Sequence, residues 1–453
     1  MAAIKFGTDG WRSRMDVDFN ESNVAIVAQA IADYLTSINA SKIVIGYDTR
    51  RNSRRFAEVV AEVMSGNSIH PLLSVRDCPT PAAAFTIKRL GLDGAVVITA
   101  SHNPPEYNGI KFIPHYAGPA NKKITDDVVR RIAEVKKVNR DRKDIEEIDI
   151  SGEYLKHVEK MVNVDLEGKT IVADLMYGTA RGYLDKLLEN KGANVIRLHG
   201  DPDPNFGGHQ PDPLEEYLKD LAHAVKKYNA YIGVACDGDA DRLGGIDSKG
   251  RYISPNVAFA SIYLWMLKED DKGDAGRTVS TTHLIDKIAN EHGYKVYETP
   301  VGYKYLAELF LQGKIVIGGE ESGGISIRRH IPEKDGILSN LLLLRAFSTY
   351  RLSHEAVDAL YSKYGMLYYS KIQIRGGPDD VEKLKARKSE ITQIAGLKVT
   401  DTITIDGLKF LLENNAWGLI RASGTEPLIR IQAEGPNQEI CDKIVSELAQ
   451  QLA

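Results

Sequence analysis

Three aspartates separated by single small residues form the most distinctive chemical group in the sequence. Asp237, Asp239 and Asp241 alternate with Gly238 and Ala240. Two carboxylates about 4 Å apart repel by on the order of 4 kcal/mol at an effective dielectric constant of about 20, so three converging carboxylates need a cation. Hard oxygen ligands suit Mg²⁺, which keeps positions open for water or a phosphate oxygen. The triplet therefore predicts a magnesium site.

Two alternatives to this magnesium site apply to the triplet. An EF-hand is excluded, because Arg242 and Ser248 stand where that loop requires its glycine and its last glutamate. A solvated acidic turn is the usual fate of an isolated aspartate triplet. The metal site is favoured because the triplet directly follows an apolar run, Tyr231 to Ala235, and has Arg242 beside it.

A serine in a tight turn is the candidate nucleophile. Ser101 lies in the segment Thr-Ala-Ser-His-Asn-Pro-Pro, where the two prolines prevent a continuing helix or ladder and His102 and Asn103 can donate hydrogen bonds. Further on, Lys111 can stabilise phosphoryl charge or carry a proton. The Gly-x-Ser-x-Gly elbow of α/β hydrolases is missing, which disfavours acyl transfer. Taken alone, the segment would indicate a plain turn.

Two further loops combine glycine with polar side chains that suit a sugar phosphate. The segment from Arg421 to Arg430 offers two guanidiniums, two hydroxyls and the amides around Gly424, which predict a cradle for a phosphate that stays on the substrate. The segment from Gly319 to Gly324 carries Glu320 and Ser322, which suit vicinal sugar hydroxyls. Exposed turns are the alternative for both segments.

All four polar segments follow apolar runs that are typical of buried strands. These runs are Ala95 to Ile98, Tyr231 to Ala235, Lys314 to Ile317 and Trp417 to Ile420. Ligands of open α/β sheets bind at the carboxyl ends of strands. We therefore expect one loop from each of four domains to face a shared cleft.

The alternation of apolar runs with helical periodicity predicts a repeated α/β architecture. Residues 24–35 form an amphipathic pattern, residues 42–47 predict a strand and residues 55–64 predict a helix, which together indicate a βαβ unit. Similar runs at 170–173 and 277–280 extend the pattern, which is typical of mainly parallel sheets covered by helices.

The last part of the chain has a different pattern, which predicts a smaller α+β domain with an antiparallel sheet. The expected strands cover 367–374, 402–410, 417–421 and 428–433, and the expected helices cover 381–394 and 439–452. A charged stretch at 136–147 and a polar turn at 247–251 mark the first two boundaries. We place the four domains at 1–147, 148–250, 251–365 and 366–453.

Composition excludes several classes of protein. The 453 residues include 58 Lys and Arg against 62 Asp and Glu, so no global attraction to nucleic acid or anionic lipid is expected. The first residues lack the apolar stretch of a signal peptide, and no apolar run approaches the length that spans a bilayer. We expect a cytoplasmic protein without nucleic-acid or membrane partners.

Considered together and in this order, the four loops resemble the α-D-phosphohexomutase family, which contains phosphoglucomutases, phosphomannomutases and phosphoglucosamine mutases. The resemblance covers essentially the whole chain. Its most specific segments are the phosphoserine loop at 99–104, the metal loop at 237–242, the sugar loop at 319–322 and the phosphate loop at 421–430. Residues 7–12 and 299–304 match as well. The resemblance implies a heart-shaped molecule of four domains around a central cleft, three α/β and the last smaller.

The resemblance also implies a mechanism. Ser101 carries a phosphoryl group in the resting enzyme. Mg²⁺ is held by Asp237, Asp239 and Asp241 and also contacts the phosphate on Ser101, which makes Ser101 the fourth metal-site residue. Transfer to a hexose phosphate gives a hexose 1,6-bisphosphate, which turns round while bound and returns its other phosphate to Ser101. Glucose 1,6-bisphosphate is then the expected activator, and hexose phosphates are the expected partners of a monomer or weak homodimer.

The family motifs imply a role for each matching residue in this chain. The catalytic residues are Ser101, Lys111, Arg12, His102 and Arg242, and the substrate-binding residues are Thr299, Gly302, Lys304, Glu320, Ser322, Arg421, Ser423, Gly424, Thr425 and Arg430.

One departure from the family pattern concerns the sugar loop. Many bacterial phosphomannomutases and phosphoglucosamine mutases carry a histidine where this chain has Gly324, so the role of that histidine does not carry over. The segment 330–336 resembles phosphoglucomutases more than the other members of the family. We therefore expect glucose phosphate to be the preferred substrate and mannose phosphate the second. The alternatives are a phosphoglucosamine mutase, a phosphosugar phosphatase and a non-catalytic binder. A haloacid-dehalogenase-type phosphatase is excluded because Asp241 stands where that motif has threonine or valine.

Overall fold

The computed structural model describes residues 4–7, 10–423 and 427–452. The first sheet holds most of its strands parallel, in the order β1-β5-β4-β2-β3-β6, with β5 antiparallel to both β4 and β1. Its strands are β1 (Trp11–Arg14), β2 (Lys42–Tyr47), β3 (His70–Ser74), β4 (Gly94–Ile98), β5 (Tyr107–Pro114) and β6 (Glu146–Ile148), and its helices are α1 (Glu21–Ser37), α2 (Ser53–Gly66), α3 (Thr80–Leu90) and α4 (Lys122–Glu134). The domain limit predicted between 147 and 148 falls inside β6.

The second sheet is also mixed, in the order β11-β10-β9-β7-β8, with β8, β7 and β9 parallel. Its elements are α5 (Ser151–Met161), β7 (Thr170–Asp174), α6 (Leu184–Asn190), β8 (Asn194–Leu198), α7 (Lys219–Lys227), β9 (Ile232–Cys236), β10 (Leu243–Asp247) and β11 (Tyr252–Ile253).

The third sheet has the order β13-β12-β14-β15, with β15 antiparallel to β14. Its elements are α8 (Pro255–Glu269), β12 (Ala275–Thr278), α9 (Leu284–Glu291), β13 (Val296–Thr299), α10 (Tyr303–Leu311), β14 (Ile317–Gly319), β15 (Ile325–Ile327), α11 (Gly336–Phe347) and α12 (Ser353–Tyr364). The strand expected at 314–317 thus begins at its last predicted residue and extends into the glycines.

The last sheet is antiparallel throughout, in the order β16-β21-β20-β19-β18-β17. Its elements are β16 (Tyr368–Arg375), α13 (Pro378–Ala386), β17 (Gln393–Ile394), β18 (Leu397–Ile403), β19 (Leu408–Leu412), β20 (Trp417–Ala422), β21 (Leu428–Gly435) and α14 (Gln438–Gln450). The predicted fold class, three α/β domains with mixed sheets and a smaller antiparallel domain, is confirmed.

Two predictions about the last domain are wrong. Residues 402–410 do not form one strand, because the chain turns between β18 and β19 at Gly407, whose φ of +76° and whose approach to the Ile420 carbonyl leave no room for a side chain. The helix expected at 381–394 begins earlier and ends at Ala386, and Gln393–Ile394 pairs as a strand instead.

The core is continuous across the first three sheets. One apolar cluster includes Val97, Leu166 and Phe259, from three successive parts of the chain, whereas the last domain has its own cluster around Phe410 and Ile431. The first three domains therefore support one another's loops by direct packing. Among the described helices, none combines the length and the apolar character that crossing a bilayer requires.

Candidate active site

The polar loops predicted from the sequence follow strands in each of the four sheets. Residues 99–105 follow β4, residues 237–242 follow β9, residues 320–324 follow β14, and the fourth loop starts at Ser423 after β20. The first two loops meet where Ser101 Oγ donates to Asp237 Oδ2 at 2.6 Å. The second and third meet where the Leu243 amide donates to the Gly323 carbonyl at 3.1 Å. The first three domains thus bring their loops to one place.

Ser101 is held in a strained backbone conformation. Its φ is +50°, in the left-handed region that costs a non-glycine residue roughly 1–2 kcal/mol. The hydroxyl of Thr99 accepts the Ser101 amide proton at 2.8 Å, and His102 Nδ1 lies 3.3 Å from Ser101 Oγ. The strain and these contacts direct the serine oxygen toward the aspartate triplet rather than toward solvent.

The triplet has the composition and burial of a cation site. Asp237, Asp239 and Asp241 are fully buried, and one ligand oxygen from each lies within 4.8 Å of the others. Asp237 Oδ1 accepts the amides of Asp241 and Arg242. Within the described part of the chain, Oδ1 of Asp239 and Oδ1 of Asp241 accept no hydrogen bond. Buried carboxylate oxygens without donors fit a hard divalent cation such as Mg²⁺.

Two lysines partly neutralise these carboxylates. Lys111 Nζ lies 2.6 Å from Asp239 Oδ2 and 3.1 Å from Asp241 Oδ2, and Lys334 Nζ lies 3.2 Å from Asp241 Oδ2. Burial lowers the pKa of Lys111, but the two carboxylates more than compensate, and the pKa lies above its ordinary value. Lys111 is therefore a charged ammonium group. Of the two roles predicted for it, this favours stabilising phosphoryl charge over carrying a proton.

The carboxylates of the triplet do not titrate alike. Burial, with the charges of Asp241 and Asp239, raises the pKa of Asp237 well above its usual range. For Asp241 burial acts in the same direction, but Lys111 and Lys334 outweigh it, and the pKa lies below its usual range. Asp237 is the carboxylate that accepts the Ser101 proton in a hydrogen bond.

The other residues predicted to be catalytic surround Ser101. Arg12 Nη1 donates to Asn103 Oδ1 at 2.9 Å, which joins β1 to the serine loop. Desolvation, followed by the charges of Arg242 and Arg12, lowers the pKa of His102 well below its usual value, so its imidazole is neutral. Arg242 Nη1 lies 3.3 Å from Asp212 Oδ1, which orients the guanidinium beside the triplet.

The residues predicted to bind the sugar lie on two segments of the third domain. The Gly302 amide donates to Glu320 Oε1 at 3.1 Å, so these two predicted residues are in contact. Thr299 Oγ1 donates to the Pro300 carbonyl, and Ser322 is half-buried in the turn after Glu320. Lys304 Nζ lies over the Tyr305 ring, 4.7 Å from its centroid.

The residues predicted to form the phosphate cradle lie on adjacent strands. Arg421 on β20 and Arg430 on β21 are direct register partners, so their side chains leave the sheet side by side. Arg421 Nε lies 3.7 Å from Asp406 Oδ2, and Asp406 also accepts the Val301 amide, which links the cradle to the third domain. Ser423 is buried at the start of the loop. The predicted residues Gly424 and Thr425 lie outside the described residues.

Sequence reasoning missed several side chains that complete the site. Thr80 at the start of α3 donates to Asp239 Oδ2 at 2.6 Å, and Asp212 pairs with Arg242. Lys334 reaches Asp241 past Gly324: a Cβ at 324 would lie 2.3 Å from Lys334 Cδ. The lysine thus fills the space beside the glycine that departs from the family pattern. The available signals were Gly324 and the segment 330–336, which contains Lys334, but neither predicted this contact.

Comparison with known proteins gives the same family over the whole chain. Four models described as phosphoglucomutase/phosphomannomutase match: alpha/beta/alpha domain I at residues 3–139, domain II at 152–250, domain III at 254–364 and the C-terminal domain at 378–451.

Full-length relatives carry more than one name. A phosphoglucomutase/phosphomannomutase of Thermococcus kodakarensis is 31% identical over 444 residues, covering 96% of this chain and 95% of the relative. A phosphoglucosamine mutase of Methanocaldococcus jannaschii is 31% identical over 417 residues, covering 90% of each.

A solved structure has the same fold across its full length. The phosphoglucomutase/phosphomannomutase family protein of Burkholderia thailandensis superposes with a TM-score of 0.87, covers 99% of this chain and 97% of its own, and is 22% identical. The domain matches and the full-length relatives agree with the four loops. The chain therefore belongs to the α-D-phosphohexomutase family and is an intramolecular phosphotransferase.

Proposed function

We propose that this enzyme interconverts hexose 1-phosphate and hexose 6-phosphate through a phosphoryl group carried by Ser101, with glucose phosphate as the first substrate and mannose phosphate as the second. The observation that carries the proposal is the 2.6 Å hydrogen bond from Ser101 Oγ to Asp237, one of three buried carboxylates with oxygens left free of donors. The serine of an ordinary turn would not be expected to donate a hydrogen bond to a cluster of buried carboxylates.

The proposed site residues divide the work of transfer. Magnesium held by Asp237, Asp239 and Asp241 would neutralise charge on the transferred phosphoryl group. Lys111 adds a fixed positive charge on the same side, since its ammonium is buried between two of these carboxylates. Positioning and neutralisation account for most of phosphoryl-transfer catalysis, and these residues provide both.

The transfer step exchanges one ester bond for another. The bond from phosphorus to Ser101 Oγ breaks and a bond to the sugar hydroxyl oxygen forms, while the hydroxyl proton leaves to a base and the serine oxygen regains a proton. We propose that the resulting hexose 1,6-bisphosphate turns round in the cleft and that its second phosphate returns to Ser101. Glucose 1,6-bisphosphate is accordingly the proposed activator.

The phosphate that is not reacting needs a separate site. Arg421 and Arg430 on neighbouring strands, with the hydroxyl of Ser423, offer a planar, multiply donating surface that suits a phosphate dianion. The hydrogen bond from the Gly302 amide to Glu320 joins two of the proposed sugar-binding residues of the third domain, which supports a common sugar site there. We propose that substrates dock with one phosphate on the arginines and the reacting hydroxyl toward Ser101.

Phosphoglucosamine mutase activity is the second candidate. Relatives named phosphoglucomutase/phosphomannomutase and phosphoglucosamine mutase match this chain at the same identity of 31%. A sugar hydroxyl donates one hydrogen bond and can also accept, whereas a protonated amino group at the same carbon donates three, accepts none and carries a positive charge. The residues around Glu320 must distinguish the two groups.

The test follows product formation by phosphorus NMR. Wild-type enzyme with Mg²⁺ and a trace of the matching 1,6-bisphosphate is given glucose, mannose or glucosamine 1-phosphate in turn. We expect the 6-phosphate to form fastest from glucose 1-phosphate, without inorganic phosphate. Accumulation of inorganic phosphate would establish a phosphatase, and binding without turnover of any sugar would establish a binder. The same preparation, measured by light scattering, tests the expected oligomeric state, which is a monomer or weak homodimer.

A further inference from the structure

A single buried arginine holds the backbone of the serine loop. Arg50 lies just beyond β2, and its Nη2 donates to the carbonyls of Ser101 and Asn103, each at 2.6 Å. Its Nη1 donates to the carbonyls of Pro104 at 2.7 Å and Tyr107 at 3.0 Å. Three carbonyls of the serine loop and the first carbonyl of β5 therefore converge on one guanidinium.

The remaining contacts of Arg50 leave it no donor for a ligand. Its Nε donates to Asp48 Oδ2 at 3.1 Å, which accounts for the last of the five N–H groups of a guanidinium. Both side chains of this ion pair are fully buried. The ring of Phe206, from the second domain, covers the guanidinium with its centroid 4.9 Å away. Arg50 thus does not contact substrate, unlike the arginines of the phosphate cradle.

The serine loop has a particular need for such support. Ser101 has a φ of +50°, which the chain does not adopt without constraint. Asp48 Oδ1 accepts the Arg50 amide and the Ser53 hydroxyl, so the carboxylate that orients Arg50 is itself fixed. Only a planar fork of donors spans several carbonyls in this way, because a lysine directs all its donors from one nitrogen.

We propose that Arg50 is a positioning residue for phosphoryl transfer, which holds the backbone at Ser101 so that its oxygen meets Asp237. This inference rests on the proposed function, in which Ser101 carries the phosphoryl group. Arg50 acts on the rate of transfer through Ser101, whereas sugar and phosphate binding depend on other loops.

The expected signature is a loss of turnover without a loss of binding. Arg50→Lys keeps a positive charge beside Asp48 but removes the fork. A displacement of about 1 Å at a reacting atom lowers rates by roughly 100-fold, and we expect kcat to fall by about that factor while KM stays within about threefold. A merely structural role would lower the yield and melting temperature of the enzyme and leave the kcat of the folded fraction unchanged.

The experiment measures phosphorylation of Ser101 directly. Wild type, Arg50→Lys and Val44→Ala are mixed with glucose 1,6-bisphosphate and Mg²⁺, and the phosphorylated mass is followed over time in single-turnover conditions. Val44 is a fully buried residue of β2 in the same sheet, so its truncation lowers stability without touching the serine loop. We expect slow phosphorylation of Arg50→Lys and a normal rate for Val44→Ala.

Each outcome decides the matter. A rate for Arg50→Lys within about threefold of wild type, or equal losses in the lysine and alanine variants, overturns the inference while the proposed function stands. A wild-type enzyme that never gains phosphate overturns both. If Arg50→Lys does not fold, Asp48→Asn is tested in its place. A fall of about tenfold in the phosphorylation rate at unchanged KM supports the inference, and a wild-type rate overturns the inference.

Discussion

The space beside Gly324 belongs to the side chain of Lys334, and filling that space should disable the lysine. An added Cβ at Gly324 would lie 2.3 Å from Lys334 Cδ and 2.8 Å from Cγ, both far inside van der Waals contact. Lysine is flexible, so the variant Gly324→Ala folds and displaces the lysine instead. The ammonium then leaves its position 3.2 Å from Asp241 Oδ2.

The size of the effect follows from the lost interaction. Two unit charges at that separation attract by about 5 kcal/mol at an effective dielectric constant of about 20, which is an upper bound because Lys111 shares the same carboxylate oxygen. Hydrogen bonds to charged groups contribute about 1.5–3 kcal/mol. We therefore expect Gly324→Ala to lower kcat/KM by roughly 10- to 100-fold.

A double-mutant cycle isolates the cause. Steady-state kinetics with glucose 1-phosphate compare Gly324→Ala, Lys334→Ala and the double variant. With Lys334 truncated, the nearest of the remaining atoms to a Cβ at 324 is Cβ of residue 334 at 3.5 Å, an ordinary contact. We expect the double variant to match Lys334→Ala within about threefold rather than to show both losses. The matched control is Gly152→Ala, where a Cβ meets nothing within 4 Å and activity should be unchanged.

Two results would refute this reasoning. If the losses of the single variants multiply in the double variant, the alanine acts on something other than Lys334. The second is a wild-type kcat/KM for Gly324→Ala together with a lowered kcat/KM for Lys334→Ala. In that case the lysine reaches Asp241 by another path, and Gly324 is not required for the position of Lys334.

Four other substitutions have expected outcomes. Ser101→Ala should abolish turnover with little change in substrate affinity, whereas Arg421→Ala should mainly raise KM, and steady-state kinetics showing the reverse pattern would contradict both roles. Asp239→Asn should raise the Mg²⁺ concentration for half-maximal activity by at least about tenfold, and a metal titration showing no shift would remove Asp239 from the site. Burial, then the charge of Arg277, lowers the pKa of Lys409 to about 8. Between about pH 8 and 10.5 the folded chain therefore binds fewer protons than the unfolded chain. The free energy of unfolding rises with pH over this interval, by up to about 3 kcal/mol. Lys409→Met lacks this rise, so its melting temperature relative to wild type should fall as pH increases over that interval, and a constant difference would contradict the assignment.

The sequence was most informative where function and fold depend on neighbouring residues. Glycine, proline and the repeated aspartates set the turns after β4, β9 and β14, and apolar runs before them predict the strands, since both signals are local. The antiparallel character of the last sheet followed from its pattern as well. The error at 402–410 arose because one turn, at Gly407, divides a run that is otherwise compatible with a single strand.

The side chains that sequence reasoning missed reach the site from distant parts of the chain. Thr80 and Asp212 belong to no local motif, and Lys334 lies in the segment 330–336, which was used only to infer substrate preference. The contacts of Thr80 and Lys334 with the triplet exist only once the domains have packed together, and Asp212 reaches Arg242 from another part of the second domain. Arg50 lies in the turn after a predicted strand, where a charged residue is ordinarily exposed. Its burial beneath the serine loop depends on carbonyls that lie more than fifty residues further along the chain.

Intact mass measurement of the purified protein, before and after incubation with glucose 1,6-bisphosphate and Mg²⁺, tests the phosphoserine mechanism most directly when paired with Ser101→Ala. We expect the wild-type protein to hold or gain one phosphoryl group and to lose it when given excess glucose 6-phosphate, while the variant never carries one. Phosphate on the alanine variant would place the carrier on another residue. A wild-type protein that never carries phosphate would contradict the proposed mechanism at its first step.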